Sequence, residues 1–174
     1  MGRKLVSLDY SGIELRVLGQ LSNDEQLLED MITGDIHSEV ATKMTGRNIT
    51  KKGCESSTDD DDARSKAKKV SFGIIYGSGA AGLAVNMRTS VDEAQSYIDF
   101  WSARYPDAFN LRYDIMDEVS RTKFIRMVDG GTVYMGKKPD LPKCSNYPVQ
   151  RAALAIMARA ITRHKISLDA ERAA

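Results

Sequence analysis

The chain contains 174 residues, of which 42% are hydrophobic, and its 25 basic and 24 acidic side chains leave a formal net charge of +1. The two cysteines form no C-x-x-C pair, which argues against a zinc site and a disulfide framework. The apolar runs are too short to span a bilayer and show no signal-peptide pattern, so no membrane partner and a reducing intracellular compartment are expected.

Charge is distributed unevenly along the chain. Residues 1–63 carry 13 acidic and 7 basic side chains, whereas residues 137–174 carry 3 acidic and 8 basic ones. A basic C-terminal third suits contacts with a nucleic-acid backbone.

Hydrophobic periodicity and turn residues predict an α+β, mainly helical fold without an internal repeat. In chain order the predicted elements are a strand at 4–9, helices at 13–21, 24–32 and 36–44, a polar mobile loop at 45–61, helices at 63–76, 91–105 and 107–121, strands at 123–128 and 132–136, and a helix at 151–165. Ser90 and Glu93 fit a capping box at the start of the helix 91–105.

The first motif begins with Asp9, where the predicted strand ends in a Tyr-Ser-Gly turn. A carboxylate held at the end of a buried strand can face a cleft and bind Mg²⁺. The alternative is that Asp9 caps the helix that follows.

A second short motif is Gly34-Asp35-Ile36-His37. A lone histidine in such a position is more often a structural residue than a ligand. Taken without its neighbours, His37 therefore predicts no particular chemistry.

Four consecutive aspartates at 59–62 precede the predicted helix 63–76. Acidic residues favour the positive end of a helix, so these four predict a solvated loop that leads into it. The alternative, that they are metal ligands, is less favoured.

The most informative pattern is a stripe in which Arg64, Lys68, Phe72 and Tyr76 recur every fourth residue. On a helix this spacing turns by about 400°, so the four side chains form one slanting stripe over about 18 Å. Two cations followed by two aromatic rings suit a nucleoside triphosphate, whose phosphates would bind the cations and whose base would stack on the rings. The alternative is a basic helix whose aromatic end packs inward.

Further along the chain, Asn146 and Gln150 belong to a segment that predicts a loop leading into the helix 151–165. Amide side chains suit recognition of the DNA minor groove, because every base pair offers an acceptor there. An ordinary loop before a helix explains the same residues.

Together and in this order, the motifs resemble those of family A DNA polymerases, the bacterial polymerase I type. The stripe resembles that family's R-x-x-x-K-x-x-x-F-G-x-x-Y-G signature on the fingers helix, and the other segments resemble its D-Y-S-Q-I-E-L-R, G-D-I-H and N-x-P-x-Q motifs. The resemblance implies a partial palm and the start of the fingers at 1–44, the fingers at 45–121, and a partial palm with a hairpin and a primer–template helix at 122–174.

The resemblance also implies a dNTP site. Arg64, Lys68 and His37 would bind and neutralise the triphosphate, and Lys68 would also act in catalysis by protonating the departing pyrophosphate. Phe72 would stack beside the nucleotide, and Tyr76 would help to seat the template base.

For the metal and the DNA, the family likeness makes Asp9 a catalytic ligand of two Mg²⁺ ions, assisted by the Tyr10 carbonyl. It makes Glu14 the residue that excludes a ribose 2′-hydroxyl. Asn146 and Gln150 would contact the minor groove of a DNA primer–template.

Several positions depart from the family pattern. Gly12 stands where Gln is usual, and Pro142 stands where Arg is common. The predicted hairpin turn, Asp129-Gly130-Gly131, lacks the arginines often found there, which predicts a different grip on the primer–template.

The family's later His-Asp-Glu motif does not occur in this sequence. Because two-metal catalysis needs carboxylates on both sides of the ion pair, the chain alone is expected to be inactive. Three alternatives stay open: a split polymerase whose missing motif lies on a second polypeptide, a non-catalytic nucleotide- or DNA-binding remnant, and an unrelated helical interaction protein. The expected location is the cytoplasm of a bacterial or phage-infected cell, with phage origin preferred.

Overall fold

The computed structural model describes residues 7, 9–50, 58–136, 138 and 140–173. Within these ranges the chain forms eight α-helices and one two-stranded antiparallel sheet, which confirms the mainly helical α+β class. The elements are α1 (Ile13–Ser22), α2 (Glu25–Thr33), α3 (Ile36–Thr45), α4 (Thr58–Ile75), α5 (Ala80–Met87), α6 (Val91–Arg104), α7 (Pro106–Thr122), β1 (Phe124–Arg126), β2 (Thr132–Tyr134) and α8 (Leu141–Ala173). Most of the predicted strand 4–9 and the centre of the predicted loop 45–61 lie outside the described residues.

One buried aspartate fixes the start of α2 and ties it to α7. Asp24 is the N-cap of α2, and its carboxylate accepts hydrogen bonds from Leu27 N at 2.9 Å and from Ala108 N at 3.0 Å. Because Asp24 is only 2% exposed, both bonds are shielded from water. Two helices therefore begin at the same carboxylate.

The predicted cap of α6 is only half of a capping box. Ser90 accepts a hydrogen bond from Glu93 N at 3.1 Å, as a helix-capping serine does. The Glu93 carboxylate, however, accepts hydrogen bonds from the Thr89 and Tyr97 hydroxyls. The Glu93 carboxylate is therefore engaged by these two hydroxyls rather than by the Ser90 N–H.

The helix α4 begins five residues earlier than predicted, so residues 59–62 form its first turn rather than a loop. Negative side chains are favourable there because the first turn carries the positive end of the helix dipole. Asp62 also pairs with Lys66 one turn later, at 3.0 Å. Because this run is polar, its sequence predicted a loop rather than a helix.

The helix α5 was not predicted, because its eight residues are too short and too uniformly apolar to show a periodic pattern. It packs closely on α4. A Cβ atom added to Gly73 of α4 would lie 2.9 Å from Leu83 Cδ1 of α5. The absence of a side chain at Gly73 therefore permits this packing.

The helix α8 begins ten residues before the predicted start, so Asn146 and Gln150 are helical and do not belong to a loop. Asp140 caps the first turn by accepting a hydrogen bond from Lys143 N at 2.9 Å. Pro148 lies inside the helix, where its missing N–H removes one backbone hydrogen bond. The helix continues because pairs of buried residues recur every four positions across the proline, namely 144/145, 148/149 and 152/153.

The main core surrounds two aromatic residues of the α6–α7 junction. Trp101 and Tyr105 are fully buried, with ring centroids 5.0 Å apart in an edge-to-face arrangement. The Tyr105 hydroxyl donates to Asp30 of α2 at 2.6 Å, and Arg104 pairs with the same carboxylate at 2.7 Å. This network fixes α2 against α6.

The predicted hairpin is present with shorter strands. β1 and β2 pair with Ile125 opposite Val133, and Ile125 belongs to a second, smaller core under the sheet. Asp129 accepts a hydrogen bond from Gly131 N in the turn.

Among the described residues, no helix is both long and apolar enough to cross a membrane.

Candidate nucleotide and primer–template site

A cavity of about 530 Å³ opens between the start of α1, the start of α3 and one face of α4. Seven of the ten predicted site residues line it: Asp9, Tyr10, Glu14, His37, Arg64, Lys68 and Phe72. The structure therefore brings together motifs that are separated by up to 63 positions in the sequence. The three other predicted residues are Tyr76, Asn146 and Gln150.

The stripe on α4 has the predicted order from cations to aromatic rings. Lys68 Nζ lies 5.8 Å from the centroid of the Phe72 ring, and the Phe72 and Tyr76 rings stack at 6.1 Å with an interplanar angle of 23°. Phe72 is half-buried, and Lys68 is exposed. A ligand in the cavity therefore meets a charged end and a flat aromatic end.

His37 lies beneath the stripe, 7% exposed, with its ring centroid 5.9 Å from that of Phe72. Burial lowers the pKa of His37 to about 4; the nearby Asp35 opposes this shift, whereas Arg64 and Lys68 reinforce it. The imidazole is therefore neutral at neutral pH and can exchange a hydrogen bond without contributing charge. Its Nδ1 atom is buried and has no hydrogen-bond partner among the described residues.

Asp35 is a member of the site to which the sequence assigned no role. Its Oδ2 atom lies 2.5 Å from Arg64 Nε and accepts a hydrogen bond from Ser38 Oγ at 2.7 Å. Burial acts to raise the pKa of Asp35, but the hydrogen bonds from Arg64 and Ser38 outweigh it and hold that pKa below its ordinary value. The sequence drew attention to Asp35, because it belongs to the Gly-Asp-Ile-His motif. It did not reveal the pairing with Arg64, which lies 29 residues away.

Tyr76 connects the cavity to α8. Its hydroxyl donates to Glu14 Oε2 at 2.9 Å. Partial burial and the hydrogen bond to Glu14 raise the pKa of Tyr76, whereas a hydrogen bond with Gln150 acts in the opposite direction. Glu14, Tyr76 and Gln150 thus meet at the Tyr76 hydroxyl group. They are the residues predicted to face the sugar, the template base and the primer–template, respectively.

Asn146 and Gln150 lie one helical turn apart on α8. Gln150 is exposed, whereas Asn146 is half-buried and its Oδ1 atom has no hydrogen-bond partner among the described residues. Their separation of four residues places both amides on one side of the helix.

Two glycines shape the ends of this site. Gly12 is the N-cap of α1 with φ 62° and ψ 34°, and a Cβ there would lie 3.2 Å from Met31 Cε. The departure from Gln at this position therefore accompanies a left-handed backbone that favours glycine. Gly77 has φ 71° and packs directly on Pro142, the second departure from the family pattern.

The acidic run 59–62 does not line this cavity. Asp60 lies 3.7 Å from Arg47, and Asp62 pairs with Lys66. Asp60, Asp62 and Lys66 lie in the N-terminal turns of α4, and Asp62 and Lys66 line a different cavity.

Two predicted metal ligands lie at the edge of the cavity. Asp9 and Tyr10 are exposed at the rim of the cavity. No group of three or more His, Cys, Asp or Glu side chains able to hold a metal ion occurs in the described ranges. The carboxylate of Asp9 and the carbonyl of Tyr10 are oxygen donors of the kind that Mg²⁺ prefers.

The hairpin turn makes its own contact with α8. Asp129 Oδ2 accepts a hydrogen bond from Arg151 Nε at 2.9 Å. With Gly131, Arg151 Nε and the Asp129 backbone as hydrogen-bonding partners, the pKa of Asp129 is held below its ordinary value. This ion pair occupies the turn where family arginines are commonly found.

The cavity combines cations, stacked aromatic rings and a carboxylate rim on a mainly helical scaffold. The sequence profile described as DNA polymerase family A matches residues 1–174. The chain belongs to DNA polymerase family A.

Individual relatives agree with this assignment. DNA polymerase I of Pseudomonas aeruginosa is 32% identical over 170 residues, which cover 92% of this chain and 18% of that protein. DNA polymerase I of Streptococcus pneumoniae serotype 4 is 41% identical over 118 residues, covering 67% of this chain and 12% of that protein. The chain thus spans less than one fifth of the length of these curated relatives.

A solved structure is also similar. It is the POL domain of Pol1 from M. smegmatis, in complex with DNA primer-template and dNTP. The TM-score is 0.68 at 26% sequence identity, and the match covers 82% of this chain and 26% of that chain.

Proposed function

We propose that the chain forms the nucleotide-binding fingers and part of the palm of a DNA-directed DNA polymerase. In the complete reaction a primer 3′-hydroxyl attacks the α-phosphate of a dNTP and pyrophosphate leaves. The observation that carries the proposal is the single cavity lined by Asp9, Glu14, His37, Arg64 and Phe72 together with Lys68. The proposal includes the domain boundaries predicted from the sequence: a partial palm and the start of the fingers at 1–44, the fingers at 45–121, and a further part of the palm at 122–174.

The cationic end of the stripe would bind the triphosphate. Arg64 and Lys68 offer charge-assisted hydrogen bonds to phosphate oxygens. His37, neutral in the nucleotide-free site, would add a hydrogen bond, and a nearby phosphate would raise its pKa by attraction for the proton. Lys68 is exposed and flexible enough to follow the departing pyrophosphate and donate a proton to it.

The aromatic end would bind the sugar and base. Phe72 would stack beside the nucleotide, and Tyr76 would help to seat the template base. Glu14, fixed by its hydrogen bond with Tyr76, would occupy the space that a ribose 2′-hydroxyl needs. Asn146 and Gln150 would approach the minor groove of the primer–template from α8.

A divalent cation such as Mg²⁺ would supply charge stabilisation when bound. Asp9 and the Tyr10 carbonyl would provide some of its oxygen ligands, and the remaining carboxylate must come from another segment. We propose a polypeptide that packs on the apolar surface beside Asp9, where Met157 and Ile161 are 44% and 63% exposed around a second cavity of about 460 Å³. A non-catalytic nucleotide- or DNA-binding remnant is the second candidate, favoured by the incomplete donor set in the described residues.

The test compares two adjacent lysines of α4. Lys68 lines the cavity, whereas Lys69 is exposed and does not. Lys68→Ala should weaken dATP binding about tenfold or more, because a hydrogen bond to a charged group contributes about 1.5–3 kcal/mol. Lys69→Ala should leave the affinity unchanged.

Affinity is measured as the anisotropy of a fluorescently labelled dATP titrated with the folded chain. If Lys68→Ala and Lys69→Ala bind dATP as tightly as wild type, the stripe is an ordinary basic helix face. An equal loss in both variants would indicate nonspecific attraction to a basic helix.

A further inference from the structure

Among the described residues, the guanidinium group of Arg64 is held from one side only. Its Nε atom lies 2.5 Å from Asp35 Oδ2, across the interface between α3 and α4. The two side chains are 27% and 22% exposed, so the pair is partly shielded from water. No hydrogen bond joins Nη1 or Nη2 of Arg64 to another described residue, and Arg64 lines the cavity.

Asp35 is itself fixed in place. Its carboxylate accepts a hydrogen bond from Ser38 Oγ, and its backbone carbonyl accepts hydrogen bonds from the N–H groups of Ser38 and Glu39 in the first turn of α3. Its side chain makes no helix-capping hydrogen bond. The carboxylate is therefore used for Arg64 and Ser38 and not to stabilise the start of its own helix.

An acidic side chain is an unexpected neighbour for a triphosphate, because like charges repel. A negative group that served only to neutralise Arg64 would compete with the phosphates for it. Whether Asp35 competes with the phosphates for Arg64 or helps Arg64 to bind them depends on which edge of the guanidinium it occupies. By binding Nε, it leaves the two terminal amino groups free for phosphate oxygens.

We infer that Asp35 is a positioning residue that orients Arg64 for the triphosphate. The inference rests on the proposed function, since it needs Arg64 to be a phosphate ligand. Arginine has many rotamers, and a guanidinium already fixed through Nε loses less conformational freedom when it binds an anion. Competition and positioning predict opposite effects when Asp35 is removed.

The experiment measures the affinity of the full chain for dATP and for inorganic tripolyphosphate. Asp35→Ala should weaken binding of both probes by about five- to tenfold, the order of magnitude expected from the rotamer freedom of one arginine. Asp35→Asn keeps an oxygen acceptor for Arg64 Nε and should stay within about twofold of wild type. Glu39→Ala removes an acid from the same helix without touching Arg64 and should change nothing.

Asp35→Ser serves as a second loss variant, because serine favours the start of a helix but is too short to reach Arg64. Circular dichroism and the urea unfolding midpoint confirm that each variant is folded. In an Arg64→Ala background, Asp35→Ala and Asp35→Ser should cause no further loss of affinity. A purely structural effect of Asp35 would persist in that background and would overturn the inference.

Tighter or unchanged binding in Asp35→Ala or Asp35→Ser would also overturn it, because Asp35 would then act as a competing charge or not at all. These results leave the proposed function intact as long as Arg64→Ala weakens binding. If Arg64→Ala has no effect, the proposed triphosphate site fails and the inference fails with it.

Discussion

Replacing Gly77 with alanine should separate the two helices that carry the site. Gly77 follows the end of α4 with φ 71°, a left-handed conformation that residues with a Cβ adopt at a cost. A Cβ added there would lie 2.7 Å from Pro142 Cα and 2.8 Å from Pro142 N. Both are backbone atoms at the start of α8, so no side-chain rotation relieves the contact.

Two costs add at this position. The left-handed backbone alone costs about 1 kcal/mol for alanine relative to glycine. Overpacking against the backbone adds about 1–3 kcal/mol, so the total loss of unfolding free energy should be about 2–4 kcal/mol. Gly46 provides the matched control, because it ends α3 with φ 68° and has no atom within 4 Å of its would-be Cβ. Gly46→Ala should therefore show only the first cost.

The assay is urea unfolding followed by circular dichroism and by the fluorescence of Trp101, the only tryptophan of the chain. The difference between Gly77→Ala and Gly46→Ala isolates the contact with Pro142. Equal destabilisation of the two variants would show that α4 and α8 do not meet closely at Gly77, and the packing argument would be refuted.

Three further predictions concern pH, sugar selection and activity. Because the pKa of His37 is lowered to about 4 in the folded chain, its contribution to stability is complete above pH 6.5 and is lost as the pH falls towards 4, by up to about 1.4 kcal/mol per pH unit. His37→Gln should reduce the pH dependence of the unfolding free energy, measured in urea, over this window, and the exposed control His164→Gln should not. If the wild type and His37→Gln show the same pH dependence, the burial of a neutral imidazole at His37 is contradicted. Glu14→Ala should bring the affinities for GTP and dGTP closer together while Glu14→Gln, which keeps the side-chain bulk, preserves their ratio; an unchanged ratio in Glu14→Ala would make Glu14 a structural residue only. Primer extension with Mg²⁺ and dNTPs should be absent for the chain alone, and extension that Asp9→Ala abolishes would refute the incomplete metal site.

The sequence predicted the helices whose apolar residues recur regularly, because periodicity records which face is buried. The stripe on α4 was predictable for the same reason, since a spacing of four residues fixes a common face whatever the tertiary structure. The starts of α4 and α8 were not predicted. In α4 an acidic run has a loop-like composition, and in α8 the Asn-Tyr-Pro segment around Pro148 has the local signature of a turn. Tertiary burial on both sides of Pro148 overrides that local signature.

The partner of Arg64 could not be predicted from sequence spacing. Asp35 and Arg64 lie 29 residues apart on different helices, and only the packing of α3 along α4 brings them to 2.5 Å. The left-handed backbone of Gly12 was likewise invisible, although the departure from the family's usual Gln marked the position. Local patterns predicted most of the residues that line the cavity, whereas their pairing depended on helix packing.

The two ends of the stripe differ in what they can influence. Arg64 pairs with Asp35 at the start of α3, so a substitution there should act on the proposed phosphate site. At the other end, Tyr76 donates to Glu14 on α1 and Gln150 acts on the same hydroxyl from α8. A change at Tyr76 therefore alters the predicted sugar-facing carboxylate and the predicted primer-facing amide together. Since Gly77 packs on α8 one residue later, the end of α4 physically connects the proposed nucleotide site with the proposed primer–template site.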